Sequence, residues 1–347
     1  MRSLRGNRLD LVPADVVAAL GRIDRASGAE ATYLDQLPQL LQTLRGHARV
    51  ESVTASNAIE GVVVEPSRVP RLLDRTGTRL RNRSEEEFAG YRAALDYLHQ
   101  DDPSGLSVGL VLHLHRLLFS FANGSGGSFK ADDNLVVDRA TDGSRRVRFT
   151  PISARETPFF VEELVLATRE ALDSGRQHPL IVVAAFALDL LCIHPFADGN
   201  GRVGRLATTH LLAQTGYTVG RYVSLEQLIY DTREGYYESL GASTDGWFDD
   251  GQHDVWPWVR YLLHRLDDAY DRFAARVAAG RASGSKQQRV RDYVLAQAPA
   301  TFTIGDVRRA VPGVSDNTIR LVLTALRDEH RIYSDGTGRS AAWRRTG

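Results

Sequence analysis

A base, a carboxylate, a glycine-rich turn and two guanidiniums fall within one run of twelve residues, His194-Pro195-Phe196-Ala197-Asp198-Gly199-Asn200-Gly201-Arg202-Val203-Gly204-Arg205. Together these groups suit a site that handles a nucleotide polyphosphate. An imidazole titrates near neutral pH, which fits His194 to accept a proton. Asp198 offers the hard oxygen that magnesium takes when it binds through one carboxylate plus phosphate oxygens. Gly199 and Gly201 let the backbone approach a ligand closely, and the amides of residues 199 to 202 face an anion if a helix begins there. Arg202 and Arg205, three apart, share one face of such a helix and can neutralise successive phosphates.

The flanking elements must turn the chain at the right place. The run Leu180 to Ile193 is apolar nearly all round, interrupted by Asp189, and predicts a central helix over about 179–193. Pro195 cannot extend it without losing a backbone donor, so His194 belongs at the mouth of a loop. A helix from Arg202 to Thr215 follows and ends at Gly216. Upstream, apolar residues at three- and four-residue spacing (Val16, Val17, Leu20; Leu37, Leu40, Leu41, Leu44) predict that most of 1–120 is helical, with a break at Asp101 to Gly105. Two short runs, Asn134 to Val137 and Val147 to Thr150, flank Thr141-Asp142-Gly143-Ser144 and read as a β-hairpin. Further helices are expected at about 107–121, 159–174, 224–243 and 255–279, so the fold class is mainly α.

Residues Gly199 to Gly204 also satisfy G-x-G-x-x-G, the dinucleotide fingerprint, which should directly follow a short strand. Here the apolar run is long for a strand and His194 to Asp198 intervene, which leaves a nicotinamide dehydrogenase as the weaker enzyme reading. An ordinary Asp198–Arg202 surface pair, worth about 0.3 to 0.5 kcal/mol, would account for two of the residues. It leaves His194, Asn200 and Arg205 in the same register unexplained.

The run is similar to the signature of the Fic family, His-Pro-Phe-x-Asp/Glu-Gly-Asn-Gly-Arg-x-x-Arg, at every specified position. That resemblance implies a Fic helical core with the hairpin as its flap. It implies a nucleotidyltransferase, specifically a protein adenylyltransferase, that uses ATP with Mg2+ to move AMP onto a Ser, Thr or Tyr hydroxyl of a target protein or of itself. By the same resemblance His194 is the base and Asp198 the magnesium ligand. Gly199, Asn200 and Gly201 surround the α-phosphate, Arg202 and Arg205 hold the leaving pyrophosphate, and Phe196 is a core anchor.

Ser56-Asn57-Ala58-Ile59-Glu60-Gly61 resembles the family's inhibitory motif, Ser/Thr-x-x-x-Glu-Gly/Asn. It implies an N-terminal inhibitory helix whose glutamate, Glu60, pairs with Arg205; a carboxylate in a guanidinium fork takes the donors a phosphate needs. The hairpin over 134–150 sits where the family carries its flap, and the resemblance implies an edge along which a target protein docks. Gly127-Ser128-Phe129-Lys130 is similar to the family's Gly-x-Tyr-Arg segment leading into it, with Phe and Lys in place of Tyr and Arg. Arg233-Glu234-Gly235-Tyr236-Tyr237 resembles Arg-x-x-Tyr-Tyr, which implies that Tyr236 and Tyr237 lie near the adenine. Removal of AMP by the same site, with Glu60 positioning a water, is an alternative the resemblance also carries.

Gly280 to Ser285 reads as a linker, giving an N-terminal helical region (1–105), the core (106–245), a helical extension (246–280) and a C-terminal unit (281–347). The last reads as helices over Gln287 to Gln297, Ile304 to Ala310 and Ser315 to Glu329, then two strands about Asp335-Gly336, which resembles a winged helix-turn-helix. Asn317, Thr318, Arg320 and Arg327 on its third helix, with Arg339, Arg344 and Arg345 beyond, form a footprint for DNA phosphates. The overall net charge of zero hides 12 Arg/Lys against 6 Asp/Glu in 281–347, so an anionic partner fits the tail. A DNA-binding regulator with a nucleotide-sensing body is therefore the competing class, and the intact His194 argues against a mere sensor. Cys192, the sole cysteine, reads as a small buried hydrophobe. His113 and His115, two apart, face different sides of a helix and make no zinc pair. With neither a secretory signal nor a membrane-spanning run, the expected location is the cytoplasm; a homo-oligomer is compatible with the sequence.

Overall fold

The structure, a computed structural model, describes residues 1–347 except 7, 35–36, 75–77, 101–104, 123–125, 140–144, 249–251, 283–285, 336–341 and 346–347. Five helices open the chain: α1 (Ala14–Leu34), α2 (Pro38–Ile59), α3 (Val69–Leu73), α4 (Arg83–Leu98) and α5 (Val108–Leu118). The hairpin β1 (Val136–Arg139) and β2 (Arg145–Phe149) follows, then α6 (Thr157–Ser174), α7 (Pro179–Ile193), α8 (Asn200–Gln214), α9 (Leu225–Asp231), α10 (Arg233–Thr244) and α11 (Trp256–Ala282). The expected break at Asp101 to Ser104 and the hairpin turn at Thr141 to Ser144 lie outside the described residues.

The chain divides into two compact units, Met1–Phe273 and Ala274–Gly347, so the division falls ahead of the boundary expected at 281. In the first unit α7 is the axis of the core. Every residue from Leu180 to Leu190 is buried, and α6 and α8 pack along it. Pro179 sits at its first turn, where a missing N–H costs nothing. His194 ends it in the left-handed region at φ 52°, a conformation that non-glycine residues rarely take. Helix, not strand, therefore precedes the glycine-rich turn, and the dinucleotide pattern lacks its structural context.

The single helix expected over 224–243 is instead two, because Thr232 leaves helical geometry. Its hydroxyl hydrogen-bonds the Leu228 carbonyl, 2.8 Å, and meets Tyr261 Oη at 3.0 Å, which supports the break. In the hairpin, Val137 pairs with Val147 and Val136 with Phe149, with a bulge between the two pairs.

The second unit contains α12 (Lys286–Asp292), a π turn (Tyr293–Gln297), β3 (Thr301–Phe302), α13 (Ile304–Ala310), α14 (Asp316–Asp328), β4 (Ile332–Asp335) and β5 (Ala342–Arg345). The helix expected over 287–297 is thus present, its second half in π geometry. The strands form an antiparallel sheet in the order β3-β5-β4, closed over a core of Val290, Phe302, Ile319, Leu323, Leu326 and Trp343 among others. Ser315 caps α14 by accepting from Thr318 N–H, and Thr303 with Asp306 makes a reciprocal capping box on α13. Arg308 pairs with Asp316 and Arg291 with Glu329, which neutralises part of the unit's basic excess. Arg339 and Gly336 lie outside the described residues. Among the described residues no helix is long and apolar enough to cross a membrane.

Asp189 is the polar exception inside α7. Its carboxylate accepts from Ser3 N–H (3.1 Å), Ser3 Oγ (2.5 Å) and Trp247 Nε1 (2.6 Å), and Ser3 Oγ lies 2.8 Å from His253 Nε2. Burial pushes its pKa up to about 6, against the opposing pull of those donors. The group binds its proton more tightly folded than unfolded. Its contribution to stability is therefore fully present below the unfolded value and is lost as pH rises through about 6. Thermal unfolding followed across that window should show Asp189→Asn losing less of its melting temperature on going from low to neutral pH than the parent chain; identical slopes would contradict the assignment.

Candidate active site

His194 emerges from the backbone turn after α7. His194 Nδ1 faces the Leu191 carbonyl at 3.4 Å, a long hydrogen bond that favours a proton on Nδ1 and leaves the Nε2 lone pair for a ligand. Burial lowers its pKa to about 4, so the imidazole is neutral at pH 7. Phe149, the last residue of β2, stands edge-on to the imidazole with ring centres 6.0 Å apart, which brings the hairpin's end beside the base.

The loop from Pro195 to Gly199 is closed by side chains of its own. Asn200 Oδ1 accepts from Phe196 N–H (2.8 Å) and its Nδ2 donates to Phe196 C=O (2.7 Å), so this buried amide shapes the turn. Phe196 is fully buried and stacks on His115 at 3.8 Å. His115 Nδ1 accepts from Gly127 N–H at 2.9 Å while its ring also hydrogen-bonds the Asp198 backbone. Burial holds its pKa down at about 4. A neutral imidazole thus ties the segment before the hairpin to the motif loop, a role the spacing of His113 and His115 could not reveal. Lys130 N–H donates to the Pro195 carbonyl (2.9 Å), and its buried ammonium reaches Asn134 Oδ1 (3.0 Å). Gly199 has φ 81°, and a Cβ there would press on Leu118 at 2.8 Å, so this glycine serves both torsion and packing.

At the start of α8 a carboxylate already lies on the glycine turn. A Cβ built on Gly201 would lie 2.1 Å from Glu60 Oε1 and 3.2 Å from Arg205 Nη1, so the Glu60 carboxylate rests directly over the glycine turn. Arg205 donates through Nη2 to Glu60 Oε1 (2.8 Å) and to the Ser56 carbonyl (2.9 Å), and through Nε to Ser56 Oγ (2.9 Å). Glu60 comes from the C-terminal end of α2, where it is the capping residue. Four residues before Ser56, the Ser52 hydroxyl donates to the buried Glu226 of α9 (2.7 Å), which also accepts from Tyr91 (3.2 Å). Ser52, Ser56 and Glu60 thus form one stripe of α2. Ser52 and Glu226 carry no motif and are visible only in the fold.

Arg202 departs from the simple surface pair. Its side chain is 2% exposed and donates through Nη1 to Glu87 Oε2 of α4 at 2.5 Å, while Asp198 Oδ1 stands 3.5 Å from Nη2. Asp198 is about half exposed; Oδ1 accepts from Gly199 N–H (2.6 Å) and Oδ2 from Arg83 Nη2 (2.9 Å). Among the described residues, the buried Arg202 Nε and Arg205 Nη1 have no hydrogen-bond partner.

Beside Arg205 a narrow, mainly apolar cavity is lined by Leu191, Gly204, Ile229, Tyr236, Trp258 and Tyr261, with Glu226 at its polar end. Tyr236 is 4% exposed and belongs to this wall, whereas Tyr237 stands behind it, edge-on at 5.1 Å, and does not line the cavity. Cys192 is buried and unbridged.

A fold of this kind around this motif is that of a Fic domain. Residues 105–212 match the sequence model described as the Fic/DOC family. A crystal structure of a Fic family protein from Desulfovibrio desulfuricans G20 superposes with a TM-score of 0.67 at 23% identity, covering 97% of each chain, which shows a shared fold. The protein adenylyltransferase Fic of Nematostella vectensis is 23% identical over 235 residues, 66% of this chain and 49% of that protein. The protein adenylyltransferase fic-1 of Caenorhabditis elegans is 25% identical over 198 residues, 55% of this chain and 34% of that protein. The chain therefore spans about half the length of these curated relatives or less.

Replacing Asn200 by Ala leaves the buried Phe196 N–H without a partner and should cost about 1–3 kcal/mol in urea unfolding. A loss below about 0.5 kcal/mol would contradict its role in closing the loop.

Proposed function

We propose that this chain is a protein adenylyltransferase whose polyphosphate site is occluded by Glu60. The observation that carries the reading is the Glu60 carboxylate lying on the Gly201 turn and in the Arg205 fork, where an anion would sit. A glutamate there competes with phosphate oxygens for the same donors.

In the open site, the hydroxyl of a target Ser, Thr or Tyr attacks the α-phosphorus of ATP. The bond from that phosphorus to the bridging oxygen of the β-phosphate breaks, and the hydroxyl proton passes to Nε2 of His194. Its neutral form at pH 7 supports this role. Pyrophosphate leaves against Arg202 and Arg205, whose unpartnered Nε and Nη1 are suited to phosphate oxygens. The Gly199 to Arg202 turn faces the α-phosphate, with Asn200 holding its shape. Tyr236 offers a wall for the adenine, and Tyr237 buttresses it.

A half-exposed carboxylate at Asp198, next to this anion site, fits Mg2+ bound through one protein oxygen and phosphate oxygens. When bound, the ion supplies charge neutralisation at the phosphates. The exposed apolar side chains Leu135, Val137 and Val147 of the hairpin suit a target segment added along its edge, leading a hydroxyl toward His194. DNA contact through the second unit is a lesser reading, because several of its arginines are already paired with acids.

Three outcomes follow. Glu60→Gly should raise labelling of a target or of the chain itself from α-labelled ATP by tenfold or more; equal labelling of both proteins would overturn the occlusion. His194→Ala in that background should abolish transfer with nucleotide affinity nearly unchanged, and undiminished labelling would remove the imidazole from the reaction. Because His194 titrates near 4, the Glu60→Gly rate should stay flat from about pH 8 to pH 6. An acid limb at the ordinary histidine value of about 6.5 would contradict the burial argument.

A further inference from the structure

Four charged side chains close a ring at the mouth of the site. Glu87 accepts from Arg202 Nη1 at 2.5 Å with one oxygen and from Arg83 Nε at 2.5 Å with the other. Arg83 continues to Asp198 Oδ2 (2.9 Å), and Asp198 Oδ1 returns to Arg202 Nη2 (3.5 Å). The two inner members, Glu87 and Arg202, are 5% and 2% exposed at the side chain, whereas Arg83 is 72% exposed. No sequence motif singles out Arg83 or Glu87.

We infer that Glu87 is the positioning residue that presents Arg202 to the β- and γ-phosphates of the nucleotide. This rests on the reading above that Arg202 meets the polyphosphate. A guanidinium buried on the first turn of α8 cannot stay charged and ordered without a counter-charge, since an unpaired buried ion is strongly disfavoured. Glu87 supplies that charge from α4, 2.5 Å from Nη1. It binds only Nη1, so Nε keeps no partner and Nη2 has only the long Asp198 contact. Those are the donors left for phosphate.

Arg83 holds the second Glu87 oxygen and fixes the carboxylate's orientation from outside. Burial would raise the Glu87 pKa, but Arg202 and Arg83 together hold it below the usual glutamate range, so the carboxylate stays charged at pH 7. The local sequence supports the placement: Asn82 caps α4 by accepting from Glu85 N–H, and Arg83 and Glu87 are then one turn apart on the same face.

The test is calorimetric titration of α,β-methylene-ATP with Mg2+, and of adenosine, into the Glu60→Gly chain and into Glu60→Gly/Glu87→Gln. Adenosine has no phosphates to meet Arg202, so its affinity reports the rest of the nucleotide site and the integrity of the fold. Glu87→Gln should weaken the ATP analogue at least tenfold and adenosine less than twofold. Adding Arg202→Gln should weaken the analogue little further, because Glu87 acts through Arg202. An unchanged analogue-to-adenosine affinity ratio in Glu87→Gln overturns the positioning role, as does an equal loss of both ligands. If Glu60→Gly with Glu87 intact binds the analogue no more tightly than adenosine, the polyphosphate reading itself fails, and the inference fails with it. Glu87→Asp, which keeps the charge on a shorter stem, should recover part of the lost ratio; no recovery in a folded variant also counts against it.

Discussion

Two guanidiniums buried at the first turns of α8 set the terms for the rest of this site. Arg202 and Arg205 are nearly inaccessible, and a buried cation left without a partner costs several kcal/mol. The fold meets that demand with two carboxylates brought from different helices: Glu87 of α4 for Arg202 and Glu60 at the end of α2 for Arg205. The two pairs differ in what they leave open. Glu87 takes one guanidinium nitrogen of its arginine, whereas Glu60 pairs with Arg205 and lies across the glycine turn. On the function proposed above, the same electrostatic requirement yields one supporting contact and one that competes with the ligand.

Holding these charges in register requires a rigid frame, and the frame is mostly neutral. Helix α7 is buried almost throughout, and its left-handed end at His194 fixes where the imidazole emerges. Asn200 locks the following loop through two short hydrogen bonds to Phe196, and His115 clamps the far side by stacking on that ring. On the opposite flank, the α2 stripe of Ser52, Ser56 and Glu60 is held at both ends, by Glu226 and by Arg205. Releasing Glu60 alone leaves Ser52 in place, so opening the site need not displace the whole helix.

Much of this was legible in the sequence, for a physical reason: groups whose function depends on backbone turns must be contiguous. His194, the glycine turn and the arginine pair could be read as one cluster because a helix start fixes their mutual geometry. Glu60 was legible through its motif and Arg205 through the spacing of the signature. Glu87, Arg83, His115, Ser52 and Glu226 were not, since no motif marks them and the contacts that tie them to the site join distant segments, Arg83 with Asp198 and Glu87 with Arg202 each across 115 positions. Asp198 and Arg202, four apart, suggested a local pair; the fold gives Arg202 a closer partner 115 positions away. Propensity likewise missed the break at Thr232, where side-chain contacts to α11 override a continuous helical pattern.

The central claim is that Glu60 and a polyphosphate exclude each other at Gly201 and Arg205. Calorimetric titration of magnesium pyrophosphate into the parent chain and into Glu60→Gly tests it without any transfer chemistry. The account predicts at least a tenfold gain in affinity on removing the carboxylate, and equal affinities in the two proteins would contradict it.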